Sequence, residues 1–139
     1  MRPASRKILY AVTFEAGGIL LGGAALSLMS DAGAAKSLSL SAFGAAIAML
    51  WSFLFNTIFE AWEARQTTKG RSLARRISHA TLFEAGLVVL LLPATAWWLS
   101  TSLGAALIYE AILIVVFLLY AFCFTWGFDK VFGLPDAAR

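Results

Sequence analysis

One pattern occurs twice in this chain, at a constant separation of 69 residues. The acid-bearing segment around Glu15 recurs around Glu84, and the aromatic segment around Trp51 recurs around Tyr120. Because two segments that lie far apart in the chain share one separation, the halves align without a net insertion and indicate a duplicated unit. What recurs is a carboxylate inside an apolar segment, which is a sign of function when that segment crosses a membrane.

The apolar content of the chain places it in a lipid bilayer. Of its 139 residues, 60% are hydrophobic and 14% are charged, and its mean hydropathy is +0.80, which exceeds what a soluble surface tolerates. Four apolar stretches reach the ~20 residues of a membrane helix, at roughly 8–29, 38–60, 77–99 and 103–128. They lack the two-residue alternation of barrel strands. The sequence therefore predicts an all-α membrane protein with four transmembrane helices.

The basic residues predict how these helices are oriented. They lie near the two termini, as Arg2 and Arg139 do, or between the second and third stretches, and Lys36 alone lies elsewhere. Under the positive-inside rule, both termini and the middle loop are cytoplasmic. The predicted organisation is a first transmembrane helix pair over 1–65, a basic cytoplasmic loop over 66–76 and a second helix pair over 77–139. Because two crossings return the chain to the same side, the two helical hairpins form a parallel tandem repeat.

Charge and motif content exclude several classes of function. The net charge of +3 comes from basic residues that mark the predicted cytoplasmic side, so it reports orientation and not nucleic-acid binding. The basic loop also lacks the interleaved aromatic residues that stack on bases, so no nucleic-acid partner is expected. The sequence contains no HExxH, no paired CxxC and no Walker lysine, which are typical of metal sites and of ATP-driven pumps. We therefore expect that the protein is not an enzyme and binds no metal or cofactor. The energy for any transport must then come from an ion gradient.

Glu15 and Glu84 are the strongest candidates for a functional role. Each lies about seven residues, or roughly 10 Å, inside its predicted span, too deep for a glutamate to reach cytosolic water easily. A charge at that depth costs about 2.5–3.5 kcal/mol unless the carboxyl is protonated, paired or hydrated. A carboxyl that holds either a proton or a cation is the minimum machinery of a proton-coupled antiporter. The alternative is a fixed pair, for example Glu84 with Arg76 or His79.

Four further ionisable residues accompany these two acids. His79 is predicted either to relay protons to Glu84 or to act as a hydrogen-bonding residue near the helix end. Glu60 and Asp129 are shallower acids, which either gate the pathway or pair with basic residues at the interface. Glu110 lies in the outer part of the fourth helix, has Ser41 as its repeat counterpart, and is expected to line an external opening.

Small and aromatic residues form regular faces on the predicted helices. Phe55 with Phe59, and Phe124 with Phe128, form stripes at helical spacing, which are more typical of helix packing than of ligand contact. Gly18 with Gly22 forms a small-residue face of the GxxxG type. That face predicts close helix packing, either inside the monomer or between the protomers of a homodimer.

Four short motifs resemble those of a known family. That family opens its first and third helices with Arg-x-x-His-Ala-x-x-Phe-Glu, which segment 76–84 matches throughout and segment 7–15 matches with Lys for Arg and Tyr for His. Segments 51–60 and 120–129 resemble the motifs of the second and fourth helices, with Glu60 where Asp is usual and Thr125 where Asn is common. On these motifs the chain resembles the proteobacterial antimicrobial compound efflux transporters, also described as the bacterial transmembrane pair domain.

The resemblance implies proton-driven export of hydrophobic cations across the bacterial inner membrane. The implied substrates are biocides such as chlorhexidine, acridine-type dyes and quaternary ammonium compounds and, in some members, short-chain diamines. The resemblance also implies that the first-helix acid, here Glu15, is central to proton coupling. Because a phenol does not titrate near neutral pH, Tyr10 cannot take over a histidine's role, and Thr125 lacks an amide, so the two halves are expected to differ.

The resulting hypothesis is a cavity in which aromatic faces hold a flat cation and carboxylates exchange it for protons. The predicted substrate-binding residues are Glu15, Glu84, Phe14, Phe83, Trp51, Tyr120 and Asn56. A small four-helix multidrug antiporter, which has one membrane acid and no tandem duplication, is disfavoured by the second motif. The alternative from another class is a non-transporting membrane scaffold or assembly protein that uses the paired acids for helix packing.

Overall fold

The computed structural model describes residues 2–134, and these residues form four α-helices. They are α1 Pro3–Met29, α2 Ala34–Ala64, α3 Leu73–Trp98 and α4 Leu103–Phe132. Each helix is long and apolar enough to cross a membrane, which confirms the predicted class and the number of spans. Arg139, part of the basis for the predicted orientation, lies outside the described residues. The orientation of the bundle across the membrane stays a prediction.

The two halves repeat their structure at the separation that the sequence shows. The α1–α2 turn occupies residues 30–33 and the α3–α4 turn occupies residues 99–102, so that α2 begins at Ala34 and α4 at Leu103. Both helix starts follow a residue suited to a tight turn. Gly33 takes a positive φ of 84°, and the Ser102 side chain accepts a hydrogen bond from the Ala105 amide at 3.1 Å. The tandem helical hairpin is therefore present in the fold as well as in the motifs.

The four helices form a closed ring. Each helix packs against the next one in the chain, and α4 returns to pack against α1. The end that carries residues 65–72 and the start of α1 is called the loop end, and the end that carries the two short turns is called the turn end. Helices of different hairpins pack together along two lines, which are called the α2–α3 seam and the α1–α4 seam. Exchanging the two hairpins maps one seam onto the other, as a parallel repeat requires.

The first hairpin is more tightly packed than the second. Gly22 and Gly23 of α1 are buried; a Cβ atom at Gly22 would collide with Ser41 of α2, and one at Gly23 would press tightly on Leu38. Ser41 also donates a hydrogen bond to the Ile19 carbonyl at 2.8 Å. The glycine face therefore packs inside the monomer, in line with one of its two predicted uses. A homodimer stays a prediction.

An apolar cluster closes the turn end. Leu26 of α1, Leu40 of α2 and Leu99 after α3 are buried together. Next to them, the Trp98 indole donates a hydrogen bond to the Ser39 hydroxyl at 3.2 Å and so links α3 to α2. Because both hairpins contribute to this cluster, the turn end is fixed across the repeat.

The loop end contains an ion-pair network around Glu63. The Arg71 guanidinium donates to the Glu63 carboxylate at 2.8 Å, which raises the pKa of Arg71, and Arg75 lies 3.8 Å from the same carboxylate. The Ser72 side chain caps α3 by accepting from the Arg75 amide at 3.2 Å. Of the predicted basic loop 66–76, the last residues therefore belong to the first turn of α3.

Candidate functional site

A cavity of about 850 Å³ lies between the four helices. Its lining extends from Leu26, Leu40 and Thr95 near the turn end to Thr57 and Glu60 near the loop end. Most of the lining side chains are apolar, and the volume falls within the ~300–1,000 Å³ that small-molecule sites occupy in proteins. The space inside the ring is therefore large enough for a small organic ligand.

The charged groups of this cavity have one sign. All four helices contribute a glutamate to its lining, and no Lys, Arg or His is among the lining residues within the described chain. The acids are Glu15, Glu60, Glu84 and Glu110. Carboxylates that face an apolar space without a basic partner favour cations, which include protons.

Glu15 and Glu84 face the cavity from equivalent positions on α1 and α3. Both side chains are half-buried, and within residues 2–134 neither carboxylate forms a hydrogen bond or an ion pair. The alternative of a fixed pair between Glu84 and Arg76 or His79 is therefore not what the structure contains. Phe14 and Phe83, which precede the two acids, also line the cavity.

His79 contacts α2 and does not reach Glu84. Its Nε2 atom lies 2.7 Å from the Asn56 amide oxygen, which accepts the hydrogen bond. The imidazole meets Phe55 and Phe59 edge-on, with ring centroids 5.0 Å and 4.7 Å away. Asn56 lines the cavity whereas His79 does not. His79 therefore has no direct contact with Glu84 through which a proton could pass.

Two of the departures from the family motifs, Tyr10 and Thr125, contact each other. The Tyr10 hydroxyl of α1 and the Thr125 hydroxyl of α4 lie 2.7 Å apart, and these positions are the repeat counterparts of His79 and Asn56. The two hairpins thus keep one interhelical hydrogen bond at this position and use different side chains for it. Sequence motifs alone did not predict that the two exceptions form a pair.

Trp51 and Tyr120 bind backbone carbonyls across the two seams. The Trp51 indole donates to the Phe83 carbonyl at 3.0 Å, and the Tyr120 hydroxyl donates to the Phe14 carbonyl at 2.8 Å. A glycine lies beneath each ring: Gly86 lies under Trp51, and its repeat counterpart Gly17 lies under Tyr120. Neither ring is among the residues that line the cavity, so the structure places both differently from the hypothesis. Their geometry indicates helix packing.

Asp129 and Glu60 occupy equivalent positions but differ in their partners. Asp129 pairs with Arg6 of α1, which also donates to the Gly133 carbonyl at 2.9 Å. Glu60 is exposed, faces the cavity and has no ion-pair partner within residues 2–134. Arg75, the counterpart of Arg6, lies beside Glu63 instead. Asp129 is therefore held in an ion pair, whereas Glu60 forms none within the described residues but lies close enough to Arg71 to contribute to the raised pKa of that residue.

Glu110 is the most buried of the cavity acids. Its side chain is 7% exposed, and the Thr95 hydroxyl donates a hydrogen bond to it at 2.7 Å. Sequence reasoning missed Thr95, because its counterpart in the first hairpin is Leu26 and the repeat therefore drew no attention to it. Its one signal was a hydroxyl in an otherwise apolar helix segment.

Comparison with known proteins agrees with this geometry. The profile of the chlorhexidine efflux transporter family matches the chain twice, at residues 2–65 and 71–134. The chain belongs to this efflux transporter family. The two matches are offset by the same 69 residues as the helices and motifs. The predicted family, also known as the proteobacterial antimicrobial compound efflux family, is thereby confirmed.

Relatives of this efflux transporter are similar over almost their whole length. A short-chain diamines transporter of Vibrio parahaemolyticus is 34% identical over 128 residues, which cover 91% of this chain and 90% of the relative. A short-chain diamines transporter of Acinetobacter baylyi is 28% identical, with coverages of 92% and 90%. No solved structure matches the chain. The names of the family and its relatives indicate a transporter and not an enzyme, and the four membrane-length helices make it a multi-pass membrane protein.

Proposed function

We propose that this efflux transporter is a proton-coupled antiporter that exports organic cations across the bacterial inner membrane, with both termini in the cytoplasm. The observation that supports it most is the cavity, which contains four carboxylates and, within the described residues, no basic side chain. The proposed substrates are hydrophobic cations such as chlorhexidine, acridine-type dyes and quaternary ammonium compounds, together with short-chain diamines. The last class follows from the names of the relatives.

In this proposal Glu15 and Glu84 bind the cation, and the neighbouring aromatic rings support it. Phe14 and Phe83 line the same space, and a cation against an aromatic face gains about 0.5–2 kcal/mol, with the larger value where water is excluded. Leucine, isoleucine and alanine side chains form much of the remaining lining and suit a hydrophobic body. Asn56 adds a polar contact on the side of α2.

Coupling to protons follows from the cost of an uncompensated charge. An unpaired carboxylate inside the bilayer is unfavourable by about 2.5–3.5 kcal/mol, so each acid is stable when it binds either a proton or the cationic substrate. A transporter that changes its accessible side only with these acids neutralised would exchange one cation for the other. Protons that enter from outside would then displace the substrate to the outside.

Proteoliposomes test this proposal. Purified protein is reconstituted with an imposed pH gradient, and proton movement is recorded after the addition of acridines, bis-biguanides or diamines. Wild type is expected to show substrate-dependent proton flux, and Glu15→Gln and Glu84→Gln are expected to reduce it at least tenfold. Asp31→Asn, in an exposed position after α1, is the matched control and should retain the flux.

Two outcomes would count against the proposal. If both glutamine variants are correctly inserted and transport as well as wild type, the assignment of these acids is wrong. If no compound produces coupled flux in folded wild type, while neutralising both acids impairs assembly, the scaffold alternative gains support. A resistance phenotype in cells without altered transport kinetics would not replace this measurement.

A further inference from the structure

The cavity contains a second polar site, near the turn end and away from Glu15 and Glu84. Thr95 of α3 and Glu110 of α4 both line it, and their exposed fractions are 3% and 7%. The Thr95 hydroxyl donates one hydrogen bond to Oε1 of Glu110. No basic residue is among the cavity residues of the described chain, so the protein itself supplies no cation to this carboxylate.

A buried carboxylate with one hydroxyl partner remains incompletely compensated. Buried charges in proteins are normally paired or multiply hydrogen-bonded, because removing them from water costs several kcal/mol. The second oxygen of Glu110 has no partner within residues 2–134, and the residue borders an open cavity. A cationic group in the cavity would supply the missing partner.

The repeat places this site in the second hairpin alone. The counterparts of Thr95 and Glu110 are Leu26 and Ser41. The Ser41 hydroxyl donates to the Ile19 carbonyl, and Leu26 belongs to the apolar cluster that closes the turn end. The first hairpin therefore has no equivalent carboxylate at this depth, and the site lies directly inside the closed end.

The distance between the two acidic levels follows from helix geometry. Glu84 and Thr95 lie on α3 eleven positions apart, which gives a rise of about 16 Å. An extended chain advances roughly 1.2 Å per bond, so the two amines of a diamine with four or five carbons lie under about 8 Å apart. A diamine with about twelve carbons matches the separation of the two levels.

We propose that Glu110 and Thr95 form an outer cation subsite, and that elongated dications bind with one charged group there and the other at Glu15 or Glu84. Short diamines then occupy one level at a time, whereas long dications bridge both. This inference rests on the proposed function, because it assumes that the cavity binds organic cations. It adds a residue pair and a length rule to that function.

Binding of a ligand series tests the inference. The affinities of α,ω-diamines with four to twelve carbons are measured on purified wild type and on Glu110→Gln, beside monoamines of the same lengths that correct for apolar contact. Wild type is expected to bind the twelve-carbon diamine at least tenfold more tightly than the matched monoamine, the size of one charge-assisted contact. Glu110→Gln is expected to lose that advantage, whereas Asp31→Asn, at an exposed position outside the cavity, should keep it.

Substitutions at Thr95 keep the inference testable if Glu110→Gln does not fold. Thr95→Val removes one hydroxyl, and we expect it to reduce the advantage of the twelve-carbon diamine partly, whereas Thr95→Ser should preserve it. If wild type shows no advantage of long diamines over monoamines, or if folded Glu110→Gln retains it, the outer subsite is disproved. If wild type binds no cation of any length, the proposed function itself fails, which separates the two results.

Discussion

The α2–α3 seam and the α1–α4 seam share one framework and differ in their chemistry. Each seam has an aromatic N–H or O–H bound to a backbone carbonyl, from Trp51 to Phe83 in one and from Tyr120 to Phe14 in the other. A glycine beneath each ring allows this approach. The duplicated unit has therefore preserved the contacts that hold the helices together.

The differences between the seams follow their relation to the cavity. In the α2–α3 seam, His79 contacts Asn56, which lines the cavity, and Glu60 also faces the cavity without an ion-pair partner in the described chain. In the α1–α4 seam, the matching residues are away from the cavity, and Arg6 neutralises Asp129. We infer that the α1–α4 seam is a fixed seam, because its polar side chains pair with one another outside the cavity. The α2–α3 seam is a communicating seam, because two of its polar residues, Asn56 and Glu60, line the cavity.

The largest effect on the free energy of unfolding is expected from adding side chains at Gly86 and Gly17, which lie under the Trp51 and Tyr120 rings. A Cβ atom at Gly86 would overlap three atoms of the Trp51 indole, whereas a Cβ atom at Gly17 would overlap mainly the hydroxyl end of Tyr120. Overpacking typically costs about 1–3 kcal/mol, and we expect Gly86→Val near the upper end and Gly17→Val lower. Thermal unfolding in detergent measures both. Gly127→Ala, where no atom lies within 4 Å, should not destabilise the protein.

The two loop-end acids provide the next contrast. Asp129→Asn leaves Arg6 without its carboxylate partner, and because the pair is partly buried we expect a loss of about 1–2 kcal/mol. Glu60→Gln should leave the unfolding free energy unchanged and weaken the binding of cationic substrates, because Glu60 faces the cavity without such a partner. Unfolding and substrate titrations on both variants check this. Equal effects of the two variants on both measurements would contradict the division between a fixed and a communicating seam.

The sequence predicted those parts of the structure that depend on order along the chain. Hydropathy gives the four helices, the constant separation gives the repeat, and the positions of Glu15 and Glu84 within their spans give a common depth. Both acids line the cavity from equivalent positions of the duplicated unit, and their role in binding stays a prediction. None of these statements requires knowledge of which helices are neighbours.

The unpredicted parts depend on rotation of each helix about its axis. Trp51 lies in the same hairpin as Glu15 and Glu60, which line the cavity. Its ring instead packs against the α3 backbone and does not line the cavity. The Arg6–Asp129 pair joins α1 and α4, whose adjacency the motifs do not specify, and the Thr95–Glu110 pair depends on how α3 and α4 are rotated within their hairpin. A period of 3.6 residues defines a face, while the neighbour of that face is set by packing.

The two carbonyl hydrogen bonds give the next contrast. Tyr120→Phe keeps its ring and loses one donor, so it is expected to cost roughly 1 kcal/mol. Trp51→Phe loses a donor and also part of the indole that packs on Gly86, so it is expected to cost more. The Phe83 and Phe14 carbonyls already belong to helices, which limits the penalty. Unfolding of the single and double variants gives the coupling between the seams. A coupling beyond about 0.5 kcal/mol would show that the two seams are not independent.

The smallest effect on stability, and the sharpest contrast in pH response, is expected at the Tyr10–Thr125 and His79–Asn56 pairs. Tyr10→Phe removes an exposed hydrogen bond but keeps the stacking on Phe14, so the loss should be about 0.5 kcal/mol, with no change in how transport depends on pH. His79→Gln keeps a donor for Asn56 but removes the imidazole, the side chain that most often serves as a proton shuttle in proteins. Transport assays between about pH 5 and 8 should therefore show a flattened profile for His79→Gln alone. If both variants, or neither, change the profile, the two seams do not differ in proton handling, and the Asn56 contact of His79 is structural.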